Sequence, residues 1–254
     1  MNNKCKVISS EISETVRAGR PSRALVKGRT QFNEEIIIRR LLSSIEVDSE
    51  SWALDVGCGY GNKMAWLKEL GCQVKGVDVN PNLVAAARSR GLDCVTVEEF
   101  SHSEQKYDLI LMAHIVEHFT PQDLLEFMDM YLHRLKIGGH IVIMTPLEHG
   151  DFYVDFDHVK TYHPNAFISV FAQPESQVQY HASNQLKLIG FGLRRRPKRH
   201  PLFVGLYSEF NRPSIFWSAY HSCAVLYWRL AFRLSGGVLG GKTDGWAGLF
   251  EKIK

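Results

Sequence analysis

The stretch "LDVGCGYGNKMAWLKEL", Leu54 to Leu70, decides the fold. Three glycines at alternate positions, Gly57, Gly59 and Gly61, follow a short apolar run with an aspartate, Asp55, just ahead of them. Glycine has no Cβ, so a backbone so built can turn tightly and approach a ligand closely. "WALDV" has the composition of a buried strand, and Met64, Leu67 and Leu70 recur at helical spacing. Strand, glycine-rich turn and helix open a nucleotide-binding βαβ unit.

The same rhythm continues downstream. "CQVKGVDV" predicts a second strand, and "NPNLVAAARSRG" a helix that starts at a proline and ends at Gly91. "DCVTV" is a third strand and "YDLILMAH" a fourth. "TPQDLLEFMDMYLHRLKIGG" reads as a helix capped by Thr120, with Pro121 at its first position, stopped by Gly138 and Gly139. "HIVIMTP" is the fifth strand. This alternation implies an α/β fold with a doubly wound parallel sheet covered by helices on both faces. Upstream, residues 1–50 form a helical lead-in, with "NEEIIIRRLLSSI" amphipathic and Asn33 as its N-cap. After Pro146 comes a loop rich in acids, histidines and aromatics, "LEHGDFYVDFDHVKTYHP". "NAFISVFA" and "SNQLKLIGF" are expected to be helical, "GLRRRPKRHP" extended, and "DGWAGLFEKI" a closing strand. Residues 200–242, aromatic and apolar, read as a helical insertion and a substrate cap within a domain spanning 51–254.

Composition bounds the function classes. A chain of 254 residues, 45% hydrophobic and 22% charged, can build a sizeable core. A net charge of +3 does not suggest nucleic acid as a partner. The five cysteines, Cys5, Cys58, Cys72, Cys94 and Cys223, are odd in number and lack a C-x-x-C pair. Reduced thiols in a cytoplasmic setting follow, without a disulfide frame or zinc site. "MNNKCKVISSEISET" has no apolar core, so no secretory signal is expected. Pro213 to Trp228 is uncharged but shorter than the ~20 apolar residues a membrane span needs. Peripheral contact with a membrane interface is the second reading of that insertion.

Asp55 narrows the nucleotide. A carboxylate at the first strand's end would repel a pyrophosphate at the helix N-terminus but welcome an ammonium or sulfonium group. S-adenosylmethionine carries both. The third glycine of G-x-G-x-x-G would fall at position 62, where Asn62 stands. Asp78, ending the second strand, can accept hydrogen bonds from ribose hydroxyls, as it would in a nicotinamide site too.

From Ser51 to Pro146 the chain resembles the class I S-adenosylmethionine-dependent methyltransferases, through "LDVGCGYGN", "GVDVNP", "YDLILMAHIVEHF" and "LKIGGHIVIMTP" in that order. "DFDHVKTYHP" and "LKLIGFGL" carry a weaker likeness. The subgroup it is most similar to acts on small molecules, quinones, lipids or glycans. The resemblance implies a seven-stranded Rossmann-like sheet whose last strand is inserted antiparallel, and transfer of a methyl group, most simply to oxygen. It implies that Gly57 and Gly59 face the methionine moiety and ribose while Gly61 serves the turn. Asp55 would hold the amino group and Asp78 the ribose. Val97 and Glu98 would lie against the adenine, and Ala113 and His114 below the methyl donor. Cys58 and Val79 complete the cofactor set. The acid usual after the third strand is Thr96 or Glu98 here.

For chemistry beyond the cofactor, His118 and His158 are the candidate bases, since imidazole titrates near neutral pH. No metal is expected, although Glu117, His118, Asp155, Asp157 and His158 form an alternative ligand set for a divalent ion. "RRRPKR", Arg194 to Arg199, suits either an anionic partner or an edge strand protected by charge. Three rivals remain: a nicotinamide oxidoreductase, a non-catalytic cofactor-binding partner protein, and a nucleic-acid methyltransferase. The last would want a broader basic face, and an Asn/Asp-Pro-Pro-aromatic motif where "AHIVEH" stands.

Overall fold

The computed structural model describes residues 34–150, 152–197, 215–235, 239 and 241–254. The Asn33 cap, the earlier lead-in and residues 200–214 of the insertion lie outside the described residues. The first helix, α1, covers 34–42. It is followed by β1 (Trp52–Val56), α2 (Asn62–Lys68), β2 (Gln73–Asp78), α3 (Pro81–Ser89), β3 (Cys94–Thr96), α4 (Val97–Ser101) and β4 (Tyr107–Ala113). Then come α5 (Pro121–Leu132), β5 (Leu135–Pro146), α6 (Pro164–Phe171), β6 (Leu186–Pro197), α7 (Ile215–Leu234) and β7 (Gly241–Lys252).

The strands form one sheet in the order β3-β2-β1-β4-β5-β7-β6. The first five run parallel, and β7 lies antiparallel against β5, with Ile143 opposite Gly248. Strands β1 to β3 build outward on one side of β1 and β4 and β5 on the other. The order therefore reverses between β1 and β4, and a ligand crevice opens at such a switch point, beyond the strands' carboxyl ends.

Burial explains the central strands. Ala53 and Leu54 of β1 are both 0% exposed, so the strand is apolar on both faces rather than alternating. Leu54 and Val56 enter one core with Tyr131, Phe167 and Trp246, while Ala53 enters the other with Ile38, Met64 and Val84. Local chemistry sets the helix starts. Asn80 accepts a hydrogen bond from the Asn82 amide ahead of Pro81, and Thr120 accepts one from the Asp123 amide ahead of Pro121.

Three expectations need correcting. "SNQLKLIGF" is not helical: Leu186 begins β6, and Gln185 exchanges backbone hydrogen bonds with Ile253 and Lys254. Gly138 and Gly139 do not stop α5, which ends at Leu132; they lie within β5, where the β4 register jumps and Gly138 takes a φ of 78°. Val97 and Glu98 are not a strand end but the first turn of α4, made by a capping box between Thr96 and Glu99.

The described chain parts into two units, one running to Leu193 and resuming at Gly245, the other Arg194–Asp244. Within the second, Arg194 and Arg196 both pair with Asp244, at 3.1 and 3.2 Å. Two arginines of the basic run thus have an internal partner, on a strand that is the sheet's edge. Helix α7 exposes Leu226, Tyr227, Leu230 and Leu234. No helix among the described residues is long and apolar enough to cross a membrane.

Candidate functional site

The glycine loop leaves β1 with φ angles of 69°, 55° and 77° at Gly57, Gly59 and Gly61, a region side chains disfavour. The Gly57 and Cys58 amides donate to the Val77 carbonyl at 2.8 and 3.1 Å, tying the loop to the end of β2. Space decides the glycines' roles. A Cβ on Gly57 would sit 2.2 Å from Ile115 Cδ1, and one on Gly61 2.1 Å from Leu92 Cδ1. A Cβ on Gly59 would meet nothing within 4 Å among the described residues, so of the three loop glycines it is the one that faces open space.

Asp78 orders the loop and keeps capacity for more. Its Oδ2 accepts from the Gly59 amide and its Oδ1 from the Asn80 amide, both at 2.8 Å. Each carboxylate oxygen can accept again, which a ribose diol would use. Burial pushes this carboxyl up, and those amides oppose the push.

Asp55 is the most unusual group. It is 1% exposed, and its Oδ2 has no hydrogen-bond partner among the described residues. Burial pushes its pKa up to about 7, with Lys63 pulling down and Asp78 adding to the rise. A buried carboxylate oxygen without a donor is costly. A cationic ligand group at the strand end would satisfy it.

The remaining expected contacts divide. Cys58 turns its sulfur into the core, 2.6 Å from Cys94 Sγ, and spends its backbone within the loop, its amide on the Val77 carbonyl and its carbonyl on the Gly61 amide. Val79 and Val97 are half-buried, Ala113 is buried, and Glu98 is exposed on α4. His114 has a φ of 63°, and both ring nitrogens are taken: Nε2 lies 2.9 Å from Glu34 and Nδ1 3.3 Å from Glu117. Burial alone would depress this imidazole, but Glu34 and Glu117 outweigh it and hold its pKa up at about 9. Thr145 donates to the other Glu117 oxygen at 3.1 Å. His114, with its side chain 32% exposed, thus bridges two buried glutamates in a network that the sequence did not reveal. Glu34 lies 80 residues away, and nothing in "NEEIII" marks it.

His118 and His158, far apart in sequence, come together with ring centroids 5.0 Å apart. The 3-10 turn Val116–His118 follows β4, and Val159 and Lys160 donate their amides to the Glu117 carbonyl at 2.8 and 3.1 Å. Ile115, which precedes that turn, is the residue that abuts Gly57. His118 is therefore on the segment that borders the glycine loop, and the His158 loop is tied to that segment through the Glu117 carbonyl.

Fold and loop together define an α/β domain built to hold a nucleoside bearing a positive charge. Residues 29–187 match a family model described as a methyltransferase domain, and the chain belongs to that family. Among curated relatives, the ubiquinone biosynthesis O-methyltransferase of Bradyrhizobium sp. (strain ORS 278) is 36% identical over 100 residues, 36% of this chain and 38% of that protein. The chain thus spans well under half the length of such relatives. An uncharacterized methyltransferase of Staphylococcus carnosus is 23% identical over 151 residues, covering 58% of this chain and 72% of that one. Among solved structures, a SAM dependent methyltransferase from Archaeoglobus fulgidus aligns with a TM-score of 0.51 at 21% identity, over 91% of this chain and 94% of that one. The N-methyltransferase NodS from Bradyrhizobium japonicum WM9, in complex with S-adenosyl-l-homocysteine, aligns at 0.53 and 15%, over 89% and 88%. These likenesses establish the class I Rossmann-like fold.

Proposed function

We propose that the chain transfers a methyl group from S-adenosylmethionine to an oxygen of a small-molecule, glycan or lipid-linked acceptor. The observation that carries this reading is Asp55, whose buried Oδ2 has no donor among the described residues, on the strand that leads into the glycine loop. When bound, the cofactor supplies a methyl group on positive sulfur, already activated for displacement. What remains for the chain is to bind, orient and deprotonate. Asp55 would answer the ammonium group, and Asp78 the ribose hydroxyls. Gly57, held against Ile115, sets how near the loop comes to the segment carrying His118. His118 and His158 are the groups proposed to act on the acceptor hydroxyl. Transfer to oxygen agrees with the name of the Bradyrhizobium relative, an O-methyltransferase. Among the described residues, four free cysteines, Cys58, Cys72, Cys94 and Cys223, suit a reduced cytoplasmic setting.

A nicotinamide enzyme remains the rival. Asn62 at the third glycine position and the Asp55 carboxylate both work against a pyrophosphate. The test is calorimetric or thermal. S-adenosylmethionine at about 100 times its Kd should add ~2.7 kcal/mol of stability, and NADH should add none. A shift with NADH and none with S-adenosylmethionine would refute the proposal.

A further inference from the structure

Three side chains beside the glycine loop, unused by the cofactor, converge on one point. Glu117, His118 and His158 each offer a ligand atom, and these atoms lie within 4.8 Å of one another. We infer that they hold one divalent cation of intermediate softness, such as Zn²⁺ or Co²⁺, with open positions for the acceptor's oxygen. The sequence alone favoured a metal-free site and kept these three residues, with Asp155 and Asp157, as the alternative.

The ring orientations carry the argument. His158 Nδ1 lies 2.7 Å from the Phe152 carbonyl. A carbonyl only accepts, so Nδ1 bears the proton and Nε2 of the neutral ring bears a lone pair. His118 Nδ1 faces the Asp157 carbonyl at 3.2 Å and the Asp157 carboxylate at 3.1 Å, both acceptors, so its lone pair is on Nε2 as well. Ligand histidines are characteristically held this way, through the nitrogen that does not bind metal. Glu117 is held likewise: Thr145 and His114 approach one oxygen each, and the carboxylate is fully buried.

A second observation concerns charge. Asp155 Oδ2 is 3.7 Å from His158 Nε2. A lone pair facing a carboxylate repels it unless a proton or a metal ion lies between. Two imidazoles and one carboxylate suit the later first-row divalent ions better than Mg²⁺. Bound there, the ion would lower the pKa of a coordinated acceptor hydroxyl, whose proton leaves to solvent. Neither histidine is then the base. The placement of the acceptor rests on the proposed methyltransferase function; the ion site does not.

The experiment is a Co²⁺ titration of the full chain after chelator treatment, followed by visible absorption and calorimetry. One equivalent should bind, with d–d bands showing nitrogen and oxygen ligands. Thr145→Val, which removes the hydroxyl that donates to the Glu117 carboxylate, should weaken binding by roughly 10–100-fold, and His158→Gln by at least as much. Glu117 is tied to His114, so Glu117→Gln can fail by misfolding. His158→Gln, checked for fold by circular dichroism and for S-adenosylmethionine affinity, decides instead. A flat titration overturns the inference. So does Co²⁺ affinity unchanged in His158→Gln, or transfer that survives EDTA yet falls in that variant, which would make the histidine itself the base. S-adenosylmethionine binding without Co²⁺ binding would sink the ion site and leave the methyltransferase reading standing. The reverse result would do the opposite.

Discussion

Asp55 sets the pH dependence of stability in the cofactor-free protein. A carboxyl whose pKa is raised from an unfolded value near 4 to about 7 contributes stability that is complete below pH 4. That contribution is lost as pH rises to 7, when the buried oxygen must ionise without a donor. The loss is about 4 kcal/mol. Asp55→Asn removes the titration, so the variant should gain on the wild type progressively between pH 4 and 7 and hold a constant lead above. His114 titrates in both proteins, so the difference isolates Asp55. The same substitution should abolish S-adenosylmethionine binding, because the ammonium loses its counter-charge. Urea melts across that pH range would show it. A lead that is flat with pH would mean that Asp55 is already satisfied in the folded chain.

At the scale of elements, Thr120 gives a cleaner prediction. Its hydroxyl accepts from the Asp123 amide and donates to the Asp123 carboxylate at 2.6 Å. Thr120→Ala should cost about 1 kcal/mol, a fall in Tm of roughly 2–4 °C, with S-adenosylmethionine affinity unchanged. A larger loss would mean the cap also anchors the turn of His118. This start was legible in the sequence because a cap is a local pattern, as was the strand–glycine–helix unit at Asp55. Strand β6 was not. Leu186, Leu188, Gly190 and Gly192 share one face and Ile189, Phe191 and Leu193 the other, so both faces look apolar and the period of two disappears. The two glycines were the signal: a Cβ on Gly190 or Gly192 would lie 2.9 Å from Leu41 or Ile37 of α1. Likewise "AHIVEH" pointed to His118 as functional, but its meeting with His158 is tertiary, made by amides of the later loop bonding to the Glu117 carbonyl.

For the whole molecule, every residue assigned to the cofactor or to the ion lies in the unit that ends at Leu193 and resumes at Gly245. Replacing 200–242 by a short flexible linker should therefore spare S-adenosylmethionine binding. If that segment caps the acceptor, the same deletion should stop transfer; transfer at the wild-type rate would end the cap reading. The strand order also has a consequence for the chain as it is made. Strand β6 borders the sheet through β7, yet it precedes β7 in sequence, with residues 198–240 to be synthesised between them. On the ribosome, β6 emerges with Ile189, Phe191 and Leu193 on one face and no neighbour for its backbone. It must wait there, an unpaired edge of the kind that associates wrongly, until translation delivers the strand that seats it. An insertion placed before β7 thus lengthens the interval in which the nascent chain most needs protection.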